Sequence, residues 1–501
     1  MKRVTISIVA FTAVFVVVFG VFLIQQKTAA QELYRAFATL TKEADSQEII
    51  FDLNPINTFI ETTQQIANKK ALLLLLPAQQ RLLLEQLTPV LPDFSTLFVE
   101  LTQGTQRWVI LFQNSNELRA TGGFMGSYAV VEIVDGKVIT IDVEDIYDAD
   151  GQFAGYVAPP KGVAEYLSGG KGLRLPDANW NPDTRKSAEQ ILPFFAFGNK
   201  HSINGIVFVN IEFAKDILNF LGPIELVDYN TVVTAENIDE VLRSRRADFF
   251  PGSIQKKHML SQLLTQLRIK IVALETSELL ALSNSIQINT QKHNLQFFSN
   301  NTIIDEVFSK YSMRQSLTSP QDSEYLYLVE SNVGINKANK NVTREVTIAK
   351  NAGNRVVTVN FSNNNEVPTI SKLTPLTAQI ENPTATQTAI PNNHLSYVNY
   401  QRVIVPQDWK LTTAYLEENE ITVLDVQTIE NNGSEFTEIG FLIVIPESES
   451  KLLKLTFDTK QDFDTIYIQK QPGTPSTSYF LEYNQNQVQH DLEQNKLLMY
   501  P

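Results

Sequence analysis

At 501 residues the chain is too long for one compact core and reads as about three domains. A hydrophobic content of 43% with 10% aromatics is that of folded protein, which excludes general disorder. A formal charge of −14 excludes sequence-independent nucleic-acid binding, which needs an excess of Lys and Arg to displace phosphate counterions.

The N-terminus carries Lys2 and Arg3, then an uncharged run from Val4 to Ile24, about 21 residues and enough to cross a hydrocarbon core of roughly 30 Å. This predicts a cytoplasmic tip (1–3) and a single transmembrane helix (4–24). The positive-inside rule places everything after Gln25 outside the cell. The run exceeds the h-region of a signal peptide, and "FLIQQK" offers no small-x-small cleavage site, although "TAA" at Thr28 to Ala30 leaves cleavage as the competing reading. The chain has no cysteine, so the exported part must be held by core burial, which suits a large bacterial envelope protein.

Residues 25–100 read as a helical stalk or cap, with apolar residues three and four apart and breakers at Pro77 and Pro89. From 101 to 321 strands alternate with helices, the pattern of an α/β layer. "RWVILFQ" is fit for a buried strand. "GSYAVVEIVDGKVITIDVED" is a hairpin about Asp135-Gly136, a type I′ pair, and "INGIVFVNIEFAKDILNFLG" is a strand entering a helix stopped by Gly222-Pro223. Two further helices follow, the first opened by Thr234 with Asn237 in the capping-box position. From 322 to 501 helical periodicity gives way to short alternating runs, from "EYLYLVES" to "TIYIQKQ", the pattern of a β-sandwich. A Pro-, Thr- and Asn-rich stretch near 363–396 reads as a mobile loop within it.

The chain lacks a phosphate-binding P-loop, an H-E-x-x-H zinc motif and a G-x-S-x-G elbow, and five histidines without cysteine disfavour structural zinc. Four constellations remain. Asn116, Glu117 and Arg119 follow the first strand, and Gly122 and Gly123 would let backbone N–H groups approach a ligand; the alternative is an internal ion pair and a tight turn. Asp142, Glu144, Asp145, Asp148 and Asp150 lie where the hairpin runs out, as oxygen ligands for Mg²⁺ or Ca²⁺ or as a solvated acidic loop. In "LPDANWNPD", Asp177, Asn179 and Trp180 form a polar loop whose ring is either a wall for a sugar or lipid or a core plug. There Asp183 suits a helix N-terminus. Arg243, Arg245, Arg246, Lys256 and Lys257 make a local cationic centre, matched to a diphosphate or to a helix end.

Read together, "ILFQNSNELRATGGFMGSY", "LPDANWNPD", "YLYLVESNVGINKANKNVTREV" and "IQKQPG" resemble the bacterial family called domain of unknown function 4012. More distantly, the order of strand, loop, hairpin, strand-helix and Arg-rich helix resembles the LytR-CpsA-Psr envelope phosphotransferases. That resemblance implies an N-terminally anchored α/β core that moves a glycopolymer from a polyprenyl diphosphate to the cell wall. It implies Glu117, Arg119 and Asp145 as catalytic residues, with Arg119, Arg243, Arg245 and Lys256 on phosphate. Asn116, Gly122, Gly123, Asp177, Asn179 and Trp180 would line the substrate, and Glu117 and Asp145 would hold Mg²⁺. The chain departs from that pattern where Gly122, Gly123 and Phe124 replace R-S-D and where "VEDIYD" replaces P-R-D. The expected protein is a single-pass cell-membrane protein, largely extracytoplasmic, with a LytR-CpsA-Psr-like α/β core and a C-terminal β-sandwich. Its expected partners are the membrane and a polyprenyl-diphosphate glycan or wall polymer, with no nucleic acid. The alternative is a non-catalytic surface protein with a degenerate core.

Overall fold

A computed structural model describes residues 51–52, 91–196, 202–244, 254–274, 276–320, 322–366, 395–431 and 433–501. The expected span at 4–24, most of the stalk and nearly all of the Pro/Thr-rich stretch lie outside the described residues. Among those described, no helix is long and apolar enough to cross a membrane. The chain divides into two compact units: 1–112, 126–152 and 192–314 form unit 1, while 113–125, 153–191 and 315–501 form unit 2. The α/β and β-rich parts are therefore not consecutive, as the sequence pattern suggested. Residues 113–125, 153–191 and 315–321, all from within 101–321, belong to the β-rich unit.

Unit 1 is built on a six-stranded sheet in the order β1-β4-β3-β2-β5-β8. Its strands are β1 (Phe51–Asp52), β2 (Thr105–Asn114), β3 (Phe124–Val134), β4 (Lys137–Asp145), β5 (Gly205–Asn210) and β8 (Leu295–Ser299). A small ladder pairs β6 (Ile224–Leu226) with β7 (Thr231–Val233). Asp135 and Gly136, at φ 46° and 79°, both take the left-handed conformation of the expected type I′ turn, and β3 and β4 pair antiparallel across it. The helices are α1 (Leu91–Thr102), α2 (Ile146–Gln152), α3 (Val163–Tyr166), α4 (Thr184–Ala196), α5 (Ile211–Leu221), α6 (Ile238–Ser244), α7 (Ile254–Val272), α8 (Thr276–Gln291) and α9 (Thr302–Lys310), of which α3 and the start of α4 fall in unit 2.

Helix limits follow local chemistry. The Asn210 side chain accepts the Glu212 and Phe213 N–H groups at the start of α5, and Gly222, at φ 76°, ends it as expected. The helix expected from Thr234 begins at Ile238 instead. The expected capping box is nevertheless made: Thr234 N–H donates to Asn237 Oδ1 at 2.7 Å, Asn237 N–H donates to Thr234 Oγ1 at 3.4 Å, and Ile238 N–H donates to the Thr234 carbonyl. Asp183 Oδ1 accepts the Arg185 N–H at 2.9 Å, the expected service to the start of α4.

Unit 2 is a β-sandwich. One sheet runs β14-β13-β17-β11-β10-β19-β20 and the other β15-β16-β12-β9-β18-β21. In chain order the strands are β9 (Glu324–Asn332), β10 (Val342–Asn351), β11 (Asn354–Asn363), β12 (Tyr397–Pro406), β13 (Lys410–Leu416), β14 (Asn419–Glu420), β15 (Asp425–Asn431), β16 (Ser434–Ile445), β17 (Glu449–Asp458), β18 (Thr465–Gln469), β19 (Thr477–Tyr483), β20 (Asn486–Leu492) and β21 (Lys496–Met499). Alternate residues of both sheets, among them Val346, Ile348, Val357, Phe441, Leu455 and Leu481, fill one core. Two buried arginines interrupt it. Arg344 forks onto Glu330, and Arg355 onto Glu324 with an Nε–Oε1 distance of 2.9 Å, so each buried charge is matched by a carboxylate.

Candidate functional site

The loop from Asn114 to Phe124 belongs to unit 2, and most of its polar groups are used inside that unit, while the buried Ser115 Oγ and Asn116 Nδ2 have no hydrogen-bond partner. Arg119 is 1% exposed. Its Nε donates to Asp177 Oδ1 at 3.0 Å, Nη2 lies 3.4 Å from Glu117 Oε1, and Nη1 donates to the carbonyls of Leu118 at 3.1 Å and Asn332 at 2.6 Å. The Phe124 ring lies 5.6 Å from the guanidinium. A guanidinium so committed has no fork left for a phosphate.

Other long-range bonds converge on the same loop. Leu118 N–H donates to Asn339 Oδ1 at 3.1 Å, and Gln471 Nε2 donates to the Arg119 carbonyl at 3.1 Å. Asn179 Nδ2 donates to Thr121 Oγ1 at 2.9 Å and to the Gly123 carbonyl at 2.8 Å. The glycines serve close packing rather than a ligand. At φ 153°, a Cβ on Gly123 would stand 2.3 Å from the Asn114 carbonyl carbon, and one on Gly473 would stand 2.2 Å from the Gly122 oxygen. Asn116 is buried as well.

Trp180 is 3% exposed and is a core plug. Arg402 lies 4.9 Å over its ring and donates to its carbonyl at 2.8 Å, and Tyr400 packs at 5.7 Å. All four sequence motifs quoted above thus contribute to one buried polar hub in unit 2. Asn332, Asn339, Gln471 and Gly473 lie within those motifs, but their types alone, without chemistry of their own, gave no signal of a role.

Unit 1 holds a different arrangement. Val138, Ile139, Thr140, Ile141 and Val143 of β4 face Ser261, Leu264 and Thr265 of α7 across a groove of about 130 Å³. Leu264 also packs on the buried cluster of Ala129, Val143 and Leu260. Beyond the groove, where β4 ends, the side chains become charged. The buried Tyr128 hydroxyl donates to Glu144, the Lys257 ammonium pairs with Asp148, and Asp145 Oδ1 accepts the Tyr147 N–H at 3.1 Å. Burial first, then the Glu144 bond and charge, push the Tyr128 phenol well above its usual range, so it is a fixed donor.

Arg243 lies in α6, but its side chain, Arg245 and the Lys256 side chain are outside the described residues, and so is their expected meeting with Arg119. Glu117 and Asp145 fall in different units. Among the described residues no group of three or more His, Asp or Glu side chains is placed to hold a metal ion. With Glu117 on Arg119 and Asp145 on a backbone N–H, these residues do not fit a shared Mg²⁺, and no step is derived through one.

Residues 103–246 match the family described as "Protein of unknown function (DUF4012)". That is the resemblance the motifs indicated, and the first two of the four lie within the matched stretch. No curated protein matches the sequence. Among solved structures, protein gbs0355 from Streptococcus agalactiae overlaps 43% of this chain and 76% of its own, at 15% identity and a TM-score of 0.26. The transcriptional regulator yvhJ from Bacillus subtilis overlaps 42% and 95%, at 12% identity and a TM-score of 0.22. TagV from B. subtilis overlaps 42% and 80%, at 14% identity and a TM-score of 0.22. The functional reading rests on the residues of this chain.

Proposed function

We propose that this protein is a membrane-anchored, extracytoplasmic envelope protein that binds a polyprenyl-diphosphate-linked glycan or wall polymer and does not transfer it. Its phosphotransferase-like core is, on this reading, degenerate. The observation that carries the reading is the Arg119 guanidinium, buried and spent on Asp177, Glu117 and two carbonyls. Transfer of this kind depends on cations preorganised around the leaving diphosphate, and Arg119 is the residue the resemblance assigns to that task. A surface for binding is offered by the β4–α7 groove, where Val138, Ile139, Ile141, Val143 and Leu264 alternate with Thr140, Ser261 and Thr265. The run from Val4 to Ile24 and the lack of cysteine support the anchored, exported setting.

The test uses full-length protein in detergent with a polyprenyl-diphosphate-linked oligosaccharide and peptidoglycan. Expected are saturable lipid binding and no transfer above a protein-free control. Transfer by the wild type above that control would overturn the reading.

A further inference from the structure

The motif "YLYLVESNVGINKANKNVTREV" contributes to more than the buried hub. Its Asn339 serves the hub, whereas Lys340, Asn341 and Thr343 line a pocket of about 590 Å³ in unit 2, within the roughly 300–1,000 Å³ of ligand pockets. The rest of the polar lining is Asn364, Asn365 and Glu366, just past the last residue of β11. Asn364 N–H donates to the Asn341 carbonyl at 2.9 Å, which carries the β10–β11 pairing one step beyond Val342 and Asn363. Asn365, 2% exposed, holds this rim in place: its Nδ2 donates to the Ala338 carbonyl at 2.9 Å and to Asn363 Oδ1 at 2.7 Å, and its Oδ1 accepts Asn341 Nδ2 at 2.9 Å. Asn364 Nδ2 donates to Thr343 Oγ1 at 3.4 Å. Asn341 and Asn364 are exposed, and each amide keeps its oxygen and a second N–H for a ligand.

We propose that this pocket is a sugar subsite, holding an uncharged hexose of the wall polymer through the Asn341 and Asn364 amides and the Thr343 hydroxyl. This rests on the reading that the protein binds a glycan, and it places recognition of the sugar in unit 2. A primary amide offers a donor beside an acceptor, and each sugar hydroxyl is both, so two fixed amides meet neighbouring hydroxyls with both polarities matched. Because Asn365 orders the rim before the ligand arrives, binding meets a smaller entropic cost. Lys340 and Glu366 carry opposite charges, so the lining has no net charge to draw in a diphosphate. Among the described residues lining the pocket only Leu395 is apolar, which gives a peptide anchored by apolar side chains no socket.

The experiment measures binding of the full-length protein in detergent to a polyprenyl-diphosphate-linked oligosaccharide, to the same oligosaccharide freed from its carrier by mild acid, and to blocked tetra-alanine. The wild type is expected to bind both glycans and not the peptide. Thr343→Val and Asn364→Ala are each expected to weaken the freed oligosaccharide about fivefold, the weight of one hydrogen bond, at an unchanged melting temperature. Lys340→Met is expected to leave it unchanged, and a loss as large as that of Asn364→Ala would overturn the uncharged ligand. If the double variant Thr343→Val, Asn364→Ala holds the freed oligosaccharide as tightly as the wild type, or if only the carrier-linked form binds, the subsite is refuted and the reading of a glycan-lipid binder stands. Tight binding of tetra-alanine that is lost in the same variants would make the pocket a peptide site and refute the sugar. If neither glycan binds the wild type, the reading fails and takes the subsite with it.

Discussion

Arg119 shows how one residue type supports two opposite readings. From the sequence, an arginine after a buried strand beside two glycines is a phosphate ligand or half of an ion pair. Burial decides between them, because a guanidinium out of water must have its donors matched within the protein. Removing it would strand Glu117 and Asp177 and free the Asn332 carbonyl, so Arg119→Ala should cost about 3–5 kcal/mol, as for a broken buried pair. Arg119→Lys should recover only part of this, since an ammonium cannot fork between Asp177 and two carbonyls. Urea unfolding followed by tryptophan fluorescence checks both, Trp180 lying in the same unit. An Arg119→Ala protein as stable as the wild type would remove the structural role.

Elements set by local chemistry were legible. The Asp135-Gly136 hairpin, the Gly222 helix stop and the strands from Glu324 to Gln469 follow from turn residues and period-two alternation, signals that need no distant partner. Strand β20 is illegible because "NQVQHDL" is polar on both faces and alternation gives no reading there. The hub was illegible for a different reason: its contacts join Arg119 to Asn332 and Gln471, more than two hundred positions away, and no periodicity encodes such a pairing. Glycines mark it in a way that two substitutions can separate. Gly473 and Gly433 share φ 77°, but a Cβ on Gly433 meets nothing within 4 Å, while one on Gly473 meets the Gly122 backbone. Gly433→Ala should therefore cost about 1–2 kcal/mol of backbone strain, and Gly473→Ala should exceed it by roughly a further 1–3 kcal/mol for overpacking. Equal midpoints in urea would mean the Gly122–Gly473 contact is not close.

The molecule as a whole interleaves its two units along the chain: residues 113–125, from the end of β2 to the start of β3, belong to unit 2, and the rest of both strands belongs to unit 1. A loop at a sheet edge ordinarily opens locally, at a small fraction of global stability. This one is tied by the Asn332 N–H to the Leu118 carbonyl at 3.0 Å, by the Leu118 N–H to Asn339 and by Gln471 to Arg119, so its bonds break only when the sandwich does. Hydrogen exchange should thus show the Leu118, Gly122 and Phe124 amides opening with the β9 and β12 amides, at one free energy. Arg119→Ala should lower the protection of both sets together and leave the Ile206 and Phe208 amides of β5 unchanged. Fast, independent exchange of the loop amides in the wild type would show the loop to be a surface element, and would reopen the phosphate role for Arg119.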